Sequence, residues 1–275
     1  QLKMEINKIN EQKKNLYNNL LEIIENDEET DSDYDYKDFF DILDNQTDHE
    51  EFKEALELIS KITENHHRSP NFISRIEKIF LHFSELIKQS FTNQELFDIF
   101  KDNKRILLLL IQTKLITFDD SIIQYILSIS KFEKDDAITG LRKRLAAFLQ
   151  KKPNEKETYH HCYAIYFYPE ITDQIDTETR NMICKEAEKI DINFQDNFEE
   201  KRENGLNENY ICELIRSDLV EDFIVYVNKK NISLETIIYP SIFETNILLV
   251  MKPPTLIEYA AFYGSIQIVQ YLKFN

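Results

Sequence analysis

The stretch 254-PTLIEYAAFYGSIQIVQYL-272 decides the fold. Thr255 stands where a helix N-cap belongs, and Glu258 follows three residues on, so the two complete a capping box. Ala260 and Ala261 are small enough to let a neighbouring helix approach closely. Gly264 supplies the left-handed backbone that a tight turn between two helices requires. Ile268, Val269 and Leu272 then recur at helical spacing and form the buried stripe of a second helix. The local chemistry therefore predicts a helix pair over 255–272.

A weaker copy lies upstream. Ile211, Leu214, Ile215, Asp218, Phe223 and Tyr226 can be laid on Ile257, Ala260, Ala261, Gly264, Val269 and Leu272 at an offset of 46 residues. The residues between the two copies, 231–253, form an insert that contains 239-YPSIFETNILLVM-251. Tyr239, Ile242, Phe243, Leu248 and Leu249 are its candidate protein-interface residues, because the segment is apolar and bounded by proline. The same side chains also suit a simpler task, covering the core of the helical stack.

The 255–272 pattern resembles the helix pair of an ankyrin repeat, whose consensus runs T-P-L-H-x-A-A-x-x-G-H-x-x-I-V-x-x-L. On that resemblance Thr255, Glu258, Ala260, Ala261, Gly264, Ile268, Val269 and Leu272 are the structural motif, and the insert occupies the place of the ankyrin finger. Glu258 and Ser265 stand where the family has histidines, which puts the usual hydrogen bonding between repeats in doubt. The offset also exceeds the 33 residues of an ordinary repeat. The strings around His66–Phe72, Asn103–Leu108 and Tyr210–Arg216 resemble trichomonad ankyrin-repeat proteins that carry a helical N-terminal domain. The resemblance implies protein binding and no chemistry. Because one or two repeats cannot bury both of their faces, the 255–272 pair is expected either to dock on the helices before it or to begin an array.

Composition agrees with helices. The chain has only 3 Gly and 6 Pro in 275 residues, too few for the turns of a sandwich or the phosphate loops of a dinucleotide fold. Hydrophobic residues make up 42%, enough for a continuous core. A formal net charge of −17 repels nucleic acid and anionic membrane. The basic islands at 104–105, 142–144 and 151–152 read as solvated helix faces. Cys162, Cys184 and Cys212 are odd in number and widely spaced, as expected of thiols in a reducing intracellular compartment, the cytoplasm. The longest apolar run, 106–111, is far short of the ~20 residues needed to span a bilayer.

Periodicity places an amphipathic helix over about 2–25, followed by an acidic loop at 25–33. Further helices are expected at 36–43, 48–64, from Ser69-Pro70 through Ile87, from the Thr92/Glu95 capping box to Phe100, and at 106–115, 122–129 and 136–149. The aromatic run 159–168, ended by Pro169, reads equally as a buried helix or an extended piece, lining either the core or a groove. A helix over 177–190 leads into the charged segment 199–209. The expectation is an all-α chain: an irregular helical solenoid or bundle over 1–198, then degenerate ankyrin-type helix pairs over 199–275.

Sites of chemistry are scarce. His66 and His67 are adjacent, so on a helix they point about 100° apart and suit a helix end better than one metal ion. His160, His161 and Cys162 hold zinc-binding atoms without a second pair at zinc spacing. No phosphate-cradling loop, nucleophile elbow or H-E-x-x-H occurs. The sequence thus points to a non-catalytic protein–protein interaction module, a scaffold or adaptor with protein partners, no cofactor, no nucleic acid and no membrane. The alternative is a structural component of a larger assembly, for instance cytoskeletal; an enzyme or zinc site at 160–162 is the third reading.

Overall fold

A computed structural model describes residues 2–25, 36–44, 49–65, 71–130, 162–239 and 241–275. The acidic loop, His66, His67, the Ser69-Pro70 start, the 136–149 helix, the basic islands at 142–144 and 151–152, His160 and His161 lie outside the described residues. Among those described, regular structure is helical throughout, and the extended pairing is an isolated antiparallel bridge between Ile237 and Thr255. The protein is all-α. It divides into two compact units, Gln1–Thr117 and Phe118–Asn275.

The first unit contains α1 (Leu2–Glu25), α2 (Lys37–Asp44), α3 (His49–Asn65), α4 (Phe72–His82), α5 (Ser84–Ser90), α6 (Asn93–Phe100) and α7 (Lys104–Gln112). The expected single helix after residue 70 is divided at Phe83, a buried residue whose ring lies edge-on to Phe40 and Phe52 at 5.5 and 5.6 Å. The capping box opens α6 as expected: Glu95 N–H donates to the Thr92 hydroxyl, and Thr92 N–H donates to the Glu95 carboxylate at 2.8 Å. Those hydrogen bonds hold the Glu95 carboxyl below its usual range. The longest apolar run is the core helix α7, with Ile106 through Leu110 buried. No described helix is long and apolar enough to cross a membrane.

Two buried polar links brace this unit. The Arg75 guanidinium donates to the Ile23 carbonyl at 2.6 Å, placing a cation at the negative end of α1. Asn103 caps α7 through the Ile106 N–H and donates to the Thr63 hydroxyl at 3.0 Å, which ties α7 to α3. Each satisfies groups that would be costly to bury unpaired.

The second unit contains α8 (Asp120–Ile129), α9 (Tyr163–Tyr166), α10 (Tyr168–Ile171), a 3-10 turn (Thr172–Gln174), α11 (Thr177–Lys189), α12 (Phe198–Asn204), α13 (Tyr210–Arg216), α14 (Val220–Lys230), α15 (Ile247–Met251), α16 (Leu256–Tyr263) and α17 (Ile266–Phe274). Asp119 and Asp176 cap α8 and α11 with their carboxylates. From Cys162 on, the aromatic run is helical. Tyr163, Ala164, Ile165, Tyr166 and Phe167 are all buried, so this part of it is core. Pro169 does not end the helical run. It lies in the first turn of α10, where its missing N–H costs nothing.

The compact units divide at 117/118, and within the second of them Arg202 ties residues on either side of 198/199 together. This side chain is 2% exposed yet carries a charge. Its guanidinium donates to the Tyr166 carbonyl at 2.8 Å and forks onto the Glu170 carboxylate at 2.7 and 2.8 Å, with Glu199 as a further partner. The Tyr166 hydroxyl donates back to the Arg202 carbonyl at 3.2 Å. The guanidinium also lies 5.6 and 5.4 Å from the ring centres of Tyr166 and Phe198, and Phe198 packs on Phe243 at 5.4 Å. The charged segment 199–209 is thus a junction inside one unit. Its charge pattern signals an exposed linker, but Arg202 is turned inward to join α9 and α10 to α12.

Candidate interaction surface

The helix pairs α13–α14 and α16–α17 repeat one another in hydrogen-bond detail at the 46-residue offset. Asp218 N–H donates to the Ile215 carbonyl and Leu219 N–H to Leu214; Gly264 N–H donates to Ala261 and Ser265 N–H to Ala260. Asp218 and Gly264 both adopt left-handed backbone, with φ of 50° and 74°. At Gly264 a Cβ would meet nothing within 4 Å, so the preference for glycine there comes from the backbone alone. The capping box at Thr255 and Glu258 forms as expected. It lowers the Glu258 carboxyl below its usual range through hydrogen bonds from Thr255.

The buried faces of the two pairs differ. Ile211, Cys212, Leu214, Ile215, Phe223 and Val227 of the first pair are covered, and Leu256, Tyr259, Ala260 and Ile268 of the second pack into the same core. Ala261 is exposed, and Val269 and Leu272 are only half-buried. Val269 and Leu272, expected in the buried stripe, thus pack against the core without being covered, and no close helix approach buries Ala261: among the described residues one face of the second pair meets a neighbouring pair. The pair docks on the helices before it, with Ile266 and Phe274 exposed.

Two polar tethers cross between the pairs. The Ser265 hydroxyl donates to the Ile215 carbonyl, so the serine links the second pair to the first. The Asp218 carboxylate accepts from Gln267 N–H at 3.1 Å and Ile268 N–H at 3.0 Å, capping α17 from the preceding pair.

The insert is anchored at both ends. Its stem is the bridge at Ile237 and Thr255, flanked by Ile238 N–H to the Pro254 carbonyl at 2.8 Å and Leu256 N–H to the Thr236 carbonyl at 3.2 Å. Its middle is stitched to 205–209. Asn207 donates its side-chain amide to the Tyr239 carbonyl, Thr245 bonds the Gly205 carbonyl through both N–H and hydroxyl, and buried Glu244 accepts from the N–H groups of Asn207 and Asn246. This anchoring decides which candidate residues reach solvent. Ile242, Phe243 and Leu249 are buried, so for these three the partner-surface reading gives way to the core reading. Tyr239 and Leu248 are 53% and 56% exposed. They are large apolar side chains held outward on a loop whose base is fixed. Tyr210, 49% exposed, opens α13 beside the stitched segment.

No family model, curated protein or solved structure matches the chain.

A partly buried polar group lies where the two pairs meet. Arg216 donates to the Tyr259 hydroxyl at 2.8 Å and to the Asn207 carbonyl at 2.9 Å, and its guanidinium lies 5.9 Å from the Tyr263 ring centre. Burial pushes the Cys212 thiol up to about 12, against the opposing pull of Arg216, and raises the Tyr259 and Tyr263 hydroxyls as well. A thiol so held stays protonated and is a poor nucleophile. Its titration sets a pH dependence. The unfolded chain releases this proton near the ordinary cysteine value, whereas the folded chain keeps it, so the stabilising difference is complete below about pH 8 and is lost as pH rises toward the folded value. Urea midpoints should therefore fall between about pH 8 and about pH 10, and Cys212→Ala should flatten that fall. An equal slope in the variant would assign the effect elsewhere.

Among the described residues no group of three or more His, Cys, Asp or Glu could hold a metal ion. Of the zinc candidates at 160–162 only Cys162 is described, as a partly buried cysteine. The sequence reading missed Asp218, Asn207, Glu244 and Arg216 as the groups that shape this surface. Asp218 had one visible signal: an Asp at a position where its copy has Gly, compatible with left-handed backbone. The others act across 32 to 43 residues and leave no local mark.

Proposed function

We propose that this chain is a non-catalytic protein–protein interaction module, a scaffold or adaptor of ankyrin type working in the cytoplasm. The observation that carries this reading is the insert between two matching helix pairs. Its buried residues fix its path, and Tyr239 and Leu248 project from it. A rigid base reduces the ordering cost of binding, and exposed aromatic and aliphatic anchors are the side chains that dominate interface energies. The reading supposes protein partners and no cofactor. Nucleic acid suits a chain of net charge −17 poorly.

The test is site-specific photo-crosslinking in cells. A photoreactive phenylalanine at position 239 or 248 should trap the same partner, and one at exposed Glu178 should not. Tyr239→Ala should then weaken that purified partner by about tenfold or more. Equal trapping at all three positions, or unchanged affinity, would reject the surface.

A further inference from the structure

We propose that Asp218 is a conformational latch: its carboxylate holds the α16–α17 pair docked as a unit, and releasing it opens the joint between the two helix pairs. Three observations converge on this residue. Its backbone sits at φ 50°, a region that among L residues Asn and Asp adopt most readily, so the residue suits the tight turn that aims its carboxylate at the second pair. Its carboxylate caps the first turn of α17 from outside that helix, through Gln267 N–H at 3.1 Å and Ile268 N–H at 3.0 Å. Ser265, the residue preceding α17, does not do this: its hydroxyl points to the Ile215 carbonyl, to which it donates, and makes no cap bond to its own helix. Four orphan N–H groups begin every helix, and a missing cap destabilises that end. Detaching the pair from α13 and α14 therefore strips both Asp218 bonds from the first turn of α17 at the moment its apolar face is exposed, and the two losses reinforce one another.

The latch governs two things beneath and beside it. Cys212 is fully buried in the joint, with Tyr259 and Ile268 of the second pair in the same cluster. The stem of the insert ends at Leu256, the first residue of α16. Undocking thus uncovers the thiol and frees one arm of the loop that carries Tyr239. Any effect on partner binding rests on the function proposed above; the latch itself does not.

The experiment is peptide-resolved maleimide labelling of Cys212 in the full chain, alongside amide hydrogen exchange. Asp218→Gly accepts the left-handed backbone but removes the carboxylate. It should speed Cys212 labelling and exchange across 266–272 by about tenfold, with exchange in 72–112 unchanged. Asp218→Asn keeps one acceptor oxygen and the same backbone tolerance, so its effect should be smaller. If Asp218→Gly labels at the wild-type rate while Asp218→Ala labels faster, backbone strain is the whole effect and the latch is overturned. If Asp218→Gly loses helix throughout, the Asn variant carries the test, and wild-type labelling there overturns the proposal equally. Faster labelling with undiminished crosslinking at 239 would uphold the latch and detach it from binding.

Discussion

Arg202→Met is expected to cost about 3–5 kcal/mol, the usual penalty for removing one partner of a buried ion pair. The methionine keeps the apolar stem but strips the Tyr166 carbonyl of a donor and leaves the Glu170 carboxylate, 15% exposed, without its bidentate partner. Arg202→Lys should lie between wild type and Met, since a point charge cannot reproduce the fork. The comparison that gives the number meaning is Lys189→Met. Lys189 pairs with Glu186 at 2.7 Å on a helix surface, and its loss should cost under about 1 kcal/mol. Denaturant unfolding followed by far-ultraviolet circular dichroism reads both. Equal costs for the two variants would mean that the Arg202 network contributes no more than a surface contact.

Phe223→Ala should be of similar size, about 3–5 kcal/mol. Phe223 is fully buried in the joint between the helix pairs, with Tyr271 of the second pair edge-on at 6.1 Å. The alanine leaves a cavity that helices fixed by the Asp218 and Ser265 tethers cannot readily close. Val225, two residues on and 64% exposed, is the control, and Val225→Ala should change stability by less than about 0.5 kcal/mol. Hydrogen exchange adds a second readout: the Phe223 variant should lose protection in α13, α14, α16 and α17 together. Loss confined to α14 would show that the two pairs do not open cooperatively.

What the sequence revealed, and what it hid, follows the range of the interactions. Thr92 with Glu95 and Thr255 with Glu258 are legible because a capping box closes within three residues. The copy at 211–226 is legible because left-handed positions and apolar spacing survive even where side chains differ. The aromatic run at 159–168 could not be assigned locally, since continuous apolarity is common to buried helices and strands; where described, it is a buried helical segment. Arg202 reads from the sequence as one charge among many in 199–209, because its partners Tyr166 and Glu170 lie 36 and 32 residues away. The insert shows the same limit: its apolar residues are visible, but which of them face inward is set by Asn207, Gly205 and Thr245 across the fold.

The cap on α17 is supplied by a residue 49 positions upstream. The stretch that looks most like a self-contained motif is therefore not a transferable part. A peptide of residues 255–275 carries every local signature of a helix pair and should remain largely unstructured in water, because its helices are short and the Asp218 cap and the apolar cover of the first pair are left behind. Grafts or rearrangements of these units need to carry Asp218 and Ser265 together, with the exchange points placed outside 210–274 rather than inside the insert.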